Sequence, residues 1–259
     1  MTQTPTPIAL ITGGSRGLGR NAALALAAQG SDVILTYQRQ QADALAVVAQ
    51  IQEHYKAQGR RAAALPLDAG DSASFPAFAA RLRELLNTQW QRPQFDHLVN
   101  NAGFGHHAAF AETKEDDFDA LYRVHLKGPY FLTQALLPLI ADGGRILNIS
   151  SGLARFSFPG SSAYAVMKGG VEVMTRYLAK ELGPRGIAVN TLAPGAIETD
   201  FGGGRVRDDA NLNRALATQT ALGRVGLPDD IGGAIAALLA PGSGWINAQR
   251  IEASGGMLV

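Results

Sequence analysis

A phenol and an amine stand four residues apart at Tyr164 and Lys168, within SSGLARFSFPGSSAYAVMK, residues 150–168. On a helix that spacing puts both side chains on one face, one turn from each other. Ser151 precedes Tyr164 by thirteen positions (164−151) and sits just past an apolar run, RILNIS, that reads as a buried strand. A hydroxyl, a phenol and an amine converging at the carboxyl edge of a sheet can transfer a proton. Free tyrosine titrates near about 10, too high to work well at neutral pH. A cation about 4 Å away is worth roughly 4 kcal/mol at an effective dielectric of about 20. That lowers the phenol by roughly two to three pH units before burial takes some back. Chance also produces Tyr-x-x-x-Lys, and a half-buried tyrosine beside a solvated lysine is the plain alternative.

The elements that must position these groups follow from hydrophobic periodicity. Seven short apolar runs predict strands: IALIT (8–12), DVILTY (32–37), RAAALPL (61–67), HLVNNAG (97–103, with its corner), RILNIS (145–150), IAVNTLAPG (187–195) and QRIEA (249–253). Helical patterns lie between them: after the first strand, over 41–58 up to Gly59, and over SFPAFAARLRELL capped by Asp71 or Ser72. Two more run from about Lys114 to Ile140 and from Ser161 or Ser162 onward. Strands alternating with helices this regularly predict one doubly wound α/β domain over residues 1–259, a parallel sheet with helices on both faces. The longest stretch without clear periodicity, about 194–220, leaves the carboxyl end of the sixth strand, where α/β sheets bind ligands. It reads as a substrate lid, with a plain surface insertion as the alternative.

Composition removes several function classes. A net charge of +1 gives no argument for nucleic acid or an anionic membrane as partner. The absence of cysteine excludes disulfides and thiolate metal sites and agrees with a reducing cytoplasm. The opening MTQTPTPIAL lacks a basic stretch and a long apolar core, so no signal peptide is expected. No run of eighteen apolar residues predicts a membrane span, and no histidine–carboxylate spacing predicts a metal.

The first corner, Thr12-Gly13-Gly14-Ser15-Arg16-Gly17-Leu18-Gly19, falls between a strand and a helix. Gly13 permits a tight turn, Gly17 lets backbone approach a pyrophosphate, and Gly19 lets the helix pack on the strand. A pyrophosphate there would meet free amides and the positive end of the helix dipole. The spacing is Gly-x-x-x-Gly-x-Gly, and a ligand-free glycine turn is the alternative.

Taken in order, Thr12-Gly-x-x-x-Gly-x-Gly19, Asn100-Asn101-Ala102-Gly103, Ser151, Tyr164-x-x-x-Lys168 and Pro194-Gly195 with Thr199 form an ordered set. In that set the chain resembles the short-chain dehydrogenase/reductase family over nearly its whole length. The resemblance implies a Rossmann-type fold and reduction of a carbonyl, or oxidation of an alcohol, by hydride exchange with a nicotinamide cofactor. Tyr164 is then the general acid in reduction, Lys168 also binds the nicotinamide ribose, and Ser151 steadies the substrate oxygen. The family's fourth catalytic residue, an asparagine whose main-chain carbonyl helps hold a relay water, is replaced here by His125. We expect His125 to be a neutral structural stand-in on an apolar face with Phe118, Leu121 and Tyr122.

The same resemblance assigns cofactor contacts to Gly13, Ser15, Arg16, Gly17, Leu18 and Gly19, and to Asp68 and Ala69 near the adenine. It adds Asn101, Ala102 and Gly103 at the adenosine ribose, and Tyr164 and Lys168 at the other. Pro194, Gly195, Ile197 and Thr199 would cover the nicotinamide, while Asn100 ties strands together. NAD-preferring relatives place an aspartate where this chain has Tyr37, followed by Gln38 and Arg39. Arg16 and Arg39 without a carboxylate predict NADP(H) over NAD(H). For His106 and His107, substrate contact and solvent exposure both stay open. APGAIETD and the terminal SGGM look like β-ketoacyl-acyl-carrier-protein reductases and related ketone reductases. The tail departs from the family at Ala248 and at Ala253-Ser254-Gly255-Gly256, a region used for subunit contacts; a homotetramer or dimer is expected. The alternatives are a dedicated β-ketoacyl thioester reductase and a protein that senses NADPH without turnover.

Overall fold

Strands covered by helices on both faces should be buried along their length, and the central ones largely are. In the computed structural model, which describes residues 5–259, β1 (Ile8–Ile11) and β6 (Ala188–Pro194) are buried at every residue. Residues 1–4, part of the opening stretch read for a leader, lie outside the described residues. The other strands are β2 (Asp32–Tyr37), β3 (Ala62–Pro66), β4 (Phe95–Asn100), β5 (Ile140–Ile149) and β7 (Arg250–Ala253). They pair in parallel in the order β3-β2-β1-β4-β5-β6-β7. This is the Rossmann-type doubly wound sheet, whose order reverses between β1 and β4 and opens a crevice at the carboxyl ends there.

Alternation along each strand divides the core in two. Ile8 and Leu10 of β1 point into one cluster and Ala9 and Ile11 into the other. The first cluster takes side chains from α3 (Phe75–Leu85), α5 (Gly128–Leu136) and α6 (Ser162–Leu182). The second takes them from α1 (Gly17–Ala28), α2 (Gln41–His54) and α9 (Pro228–Leu239). The remaining helices are α4 (Glu115–Tyr122), α7 (Arg205–Asp208) and α8 (Ala210–Ala217). The expected cap at Asp71 is present, its carboxylate accepting from the Ala73 amide ahead of α3.

Four features differ from the sequence expectation. The helix expected from Lys114 to Ile140 ends at Tyr122, passes through a π turn at Arg123–Lys127, and resumes as α5. Pro129 explains the break, because it has no N–H to give the His125 carbonyl four residues back and its ring crowds that carbonyl. The following strand starts at Ile140 rather than Arg145, pairing with Phe95 before a shift in register. The 194–220 stretch holds two short helices rather than irregular chain, and Asp209 caps α8 by accepting from the Asn211 and Leu212 amides. Helix α9 has no counterpart in the sequence reading, since Gly232 and Gly233 dilute its apolar pattern. Gly232 lies against the Asn21 backbone, where a Cβ would come within 2.8 Å of the carbonyl oxygen; its smallness lets α9 pack on α1.

Candidate active site

Ser151 stands just past the end of β5 in extended backbone, its hydroxyl accepting from the Leu153 amide (3.2 Å). Tyr164 and Lys168 lie on the first turns of α6, both buried. The Lys168 ammonium donates to the Ile149 carbonyl (2.7 Å), the last residue of β5, and lies 5.5 Å from the centre of the Tyr164 ring. All three groups therefore meet at one strand end. Below them, Ser150 donates to Glu172 (2.7 Å), which also accepts from Arg250 of β7 (2.7 Å). Glu252 receives Arg250 and the exposed Arg155 (3.1 and 2.8 Å), so α6, β7 and the loop after Ser151 are tied together by a chain of charges.

Electrostatics in the site run against the simple expectation. Burial lowers Lys168 to about 8, leaving it mostly charged at neutral pH. Burial raises the Tyr164 phenol above its ordinary value, and the Ser151 hydrogen bond offsets only part of that. The lowering that the four-residue spacing predicts from Lys168 is not found; the ammonium is turned to the Ile149 carbonyl. In the ligand-free protein the phenol is neutral, which is the protonation state an acid requires.

A second set of residues surrounds the turn from β1 into α1. Thr12 is buried, and its hydroxyl accepts from the Asn101 and Ala102 amides (2.9 Å each). The Asn101 side chain donates to the Thr12 and Gly13 carbonyls (2.9 and 3.2 Å), so its amide supports the glycine loop. Gly13 adopts φ 66°, a left-handed conformation, with the Ala102 Cα 2.9 Å from where its Cβ would stand. A Cβ at Gly19 would overlap the Gly13 carbonyl and the Asn101 amide. Arg16 precedes α1 without capping it through a side chain, leaving the first-turn amides facing the crevice. Ser15 and Arg16, with Arg20, Asp43, Ala46, Val47 and Gln50, line a cavity of about 240 Å³. Tyr37 is half-buried at the end of β2, and Arg39 is exposed beside it.

The other expected contacts are distributed around this crevice. Leu18 is half-buried on α1, and Asp68 is exposed, accepting from the Gly70 amide (2.8 Å). The Ala69 carbonyl packs against Gly128. Pro194 is buried at the end of β6, Gly195 lies against Ser254, and Ile197 pairs with Gly226. The Thr199 Cβ stands 3.9 Å from the Cβ position of Gly17, so the turn after β6 reaches over the glycine loop. Asn100 ties strands as expected, donating to Asn148 on β5 (2.8 Å) and to Thr133 (3.1 Å). A glycine-lined turn with open helix amides, beside a buried lysine, fits a nicotinamide dinucleotide. Gly19→Ala should weaken NADPH binding at least about tenfold and lower Tm, because backbone cannot retreat from the added methyl; fluorescence titration and melting check this.

The family described as enoyl-(acyl carrier protein) reductase matches residues 13–258. The chain is 35% identical over 264 residues to a 3-oxoacyl-[acyl-carrier-protein] reductase of Synechocystis sp., covering all of both chains. Among solved structures, a promiscuous reductase described as catalysing keto-reduction at C1 during lugdunomycin biosynthesis superposes with a TM-score of 0.90. It is 35% identical, over 98% of each chain. The chain belongs to the short-chain dehydrogenase/reductase family. An angucycline C-6 ketoreductase of the family, solved with bound NADP, matches with a TM-score of 0.90 at 32% identity, over 97% of this chain and 95% of its own.

Against the family pattern, His125 is the departure, and it sits inside the π turn. It is buried, and its Nε2 lies 2.8 Å from the Phe104 carbonyl and 3.2 Å from the Phe104 amide. One ring nitrogen cannot donate and accept at once, so the tautomer decides which bond forms. Burial, then the Lys168 charge, lowers His125 to about 3, so it is neutral as expected. Its surroundings are not the expected apolar face. Leu121 is buried, but Phe118 and Tyr122 are exposed, and the rings touching His125 are Phe104 (5.2 Å) and Tyr164 (5.1 Å).

Phe104 and Phe201 escaped the sequence reading. Phe201 sets its ring edge-on to Tyr164 at 5.7 Å. Neither belongs to a motif, and only the position of Phe104 directly after Asn100–Gly103 could have marked it. His107 packs on Gly160 in the loop before α6, while His106 turns toward Asp117 (3.9 Å). Among the described residues no three His, Cys, Asp or Glu gather as a metal site, and no helix is long and apolar enough to cross a membrane.

Proposed function

We propose that this oxidoreductase reduces a ketone or aldehyde to an alcohol, reversibly, with NADP(H). The observation that carries the reading is the convergence of Ser151, Tyr164 and Lys168 at the end of β5 beside the glycine loop. A bound nicotinamide cofactor supplies the hydride. Ser151 holds the substrate oxygen, Tyr164 delivers the proton from its phenol, and the charged Lys168 stabilises the phenolate left behind. The His125 carbonyl, denied a bond by Pro129, is open to a relay water behind Lys168. The chain acts as one domain, with 194–220 as its lid.

NADP(H) is preferred because Arg16 borders the cavity between α1 and α2 and Arg39 adds a second guanidinium near Tyr37; Asp43 lines the same cavity, but the end of β2 itself carries no carboxylate. Solved relatives described with NADP or NADPH agree. The test is NADPH and NADH oxidation with diketones, aldehydes and β-ketoacyl thioesters. Activity with at least one carbonyl is expected, with kcat/KM higher for NADPH and the advantage cut about tenfold in Arg16→Ala. Binding of NADPH without oxidation across the panel would sink the reductase reading in favour of a sensor. Selectivity for thioesters would narrow it to the activity named for the Synechocystis relative.

Self-association is part of the same reading. Val166, Val173 and Tyr177 form an exposed apolar stripe at i, i+7 and i+11 on α6, next to exposed Phe118 and Tyr122 on α4. A second copy would cover this face, and light scattering should give a tetramer, or a dimer, at micromolar concentration; a monomer mass removes the proposal. The absence of cysteine supports a reducing compartment such as the cytoplasm.

A further inference from the structure

Four aromatic rings stand in series around the phenol. Phe104 leans on His125 at 5.2 Å, His125 meets Tyr164 edge-on at 5.1 Å, and Phe201 meets Tyr164 from the lid at 5.7 Å. The outer two keep much of their surface open to solvent, 38% for Phe104 and 47% for Phe201. Large exposed rings beside a reactive group are apolar area awaiting cover.

The lid that carries Phe201 is laid down closely but lightly held. A Cβ at Gly105 would come within 3.0 Å of both Phe201 Cε1 and the Gly202 backbone, so the lid rests directly on the segment bearing Phe104. Just beyond Phe201, Gly202, Gly203 and Gly204 all have positive φ (61°, 76° and 78°). No atom lies within 4 Å of the Cβ positions of Gly202 or Gly203, so that turn has open space on its outer side, while the Gly202 backbone rests on Gly105. Three left-handed glycines in succession can rotate at low cost, and Phe201 moves with them. Arg207 bridges Asp200 and Asp208 only at the exposed lid surface, where such pairs hold little.

We propose that the substrate is a flat, fused-ring aromatic ketone that takes the place of the Phe201 ring against Tyr164 and packs on Phe104. A carbonyl reaching the phenol must move Phe201 aside, uncovering Tyr164 and His125. A flat aromatic ring restores the edge-to-face contacts and the apolar cover that Phe201 leaves, while a thin acyl chain restores neither. The inference rests on the carbonyl-reductase reading, and the net reaction is unchanged. Ketone, NADPH and a proton give alcohol and NADP⁺; carbon gains the hydride, and oxygen gains the Tyr164 proton, which solvent replaces.

The test compares 2-tetralone, acetoacetyl-N-acetylcysteamine and butane-2,3-dione with NADPH. The wild type should favour 2-tetralone over the thioester by about tenfold or more in kcat/KM. Phe104→Leu should lower the 2-tetralone-to-dione ratio of kcat/KM about tenfold, whereas Phe201→Ala, which empties the slot in advance, should lower KM for both ketones and leave the ratio in place. Phe201→Leu, which keeps apolar bulk at an exposed position, replaces the alanine variant if that one fails to fold. The proposal is overturned if the thioester matches or beats 2-tetralone, if that ratio is unmoved in Phe104→Leu, or if Phe201→Ala raises KM for 2-tetralone. Should the wild type reduce none of the three, calorimetry of 2-naphthol with the NADPH-loaded protein separates the two ideas. Binding weakened about tenfold by Phe104→Leu keeps the aromatic slot while the reductase reading falls; binding unchanged in that variant, or none at all, removes both.

Discussion

Tyr164→Phe is expected to lower kcat for carbonyl reduction by about 10²–10⁴-fold, the usual contribution of a positioned acid, with little change in KM or Tm. Stability should hold because the ring keeps its place among Leu121, Ala163 and Met167, and only the bond to Ser151 is lost. Activity should not hold, because no neighbour can replace the phenol as donor. Lys168 is turned to the Ile149 carbonyl at 2.7 Å, and releasing its proton would remove the charge the site depends on. His125 carries at most one ring proton at neutral pH, and its Nε2 is occupied at the Phe104 backbone. Ser151→Ala should cost less, since it removes a hydrogen bond to the substrate oxygen but no proton. Steady-state and single-turnover rates of NADPH oxidation check both. Retention of more than a tenth of wild-type kcat in Tyr164→Phe would assign the acid elsewhere.

The reasons why some parts of the molecule were legible in the sequence are local. Strands such as IALI and AVNTLAP are buried on both faces, so they appear as unbroken apolar runs whatever their partners. The glycine turn and the Tyr164–Lys168 pair each lie within one corner or one helical turn, where spacing dictates geometry. What spacing could not convey came from distant contacts. Phe104 and Phe201 are far apart in sequence, and Phe104 meets His125 and Phe201 meets Tyr164 only after α4, α6 and the lid assemble. The rise of the Tyr164 phenol has the same origin: helical spacing puts Lys168 on the same face, but the packing that dries the site sets the phenol's titration, offset in part by Ser151. The break at Arg123–Lys127 was in principle readable, because Pro129 removes one specific hydrogen-bond donor, yet the flanking apolar pattern runs on across it. Helix α9 failed for the opposite reason, its two glycines serving the close approach to α1 at the expense of the pattern.

Acid should destabilise this protein well before its carboxylates titrate, because two neutral histidines are built into it. His97 on β4 is 6% exposed and His125 is 1% exposed, and in each the Nδ1 has no partner. Burial, partly opposed by Asp96, lowers His97 to about 4; burial and Lys168 lower His125 to about 3. In the unfolded chain both titrate near about 6.5. Between these values the unfolded state binds more protons than the folded one, so stability rises with pH there. The contribution is complete above about pH 6.5 and is lost as pH falls toward 4 for His97 and 3 for His125. At full effect each histidine adds a slope of about 1.4 kcal/mol per pH unit, so the pair costs roughly 5 kcal/mol by about pH 4.5. That is a large share of an ordinary folding free energy of about 5–15 kcal/mol. Urea melts from about pH 7 to 4.5 should show this slope, and His97→Gln and His125→Asn should each remove about half of it, whatever they do to stability at pH 7. An undiminished slope in the double variant would place the acid sensitivity in other groups. The two variants also separate structure from site. His97 lies within the sheet, so its replacement should leave reduction unchanged, whereas loss of the His125 ring releases the Phe104 backbone and should raise KM for a substrate packed on that wall.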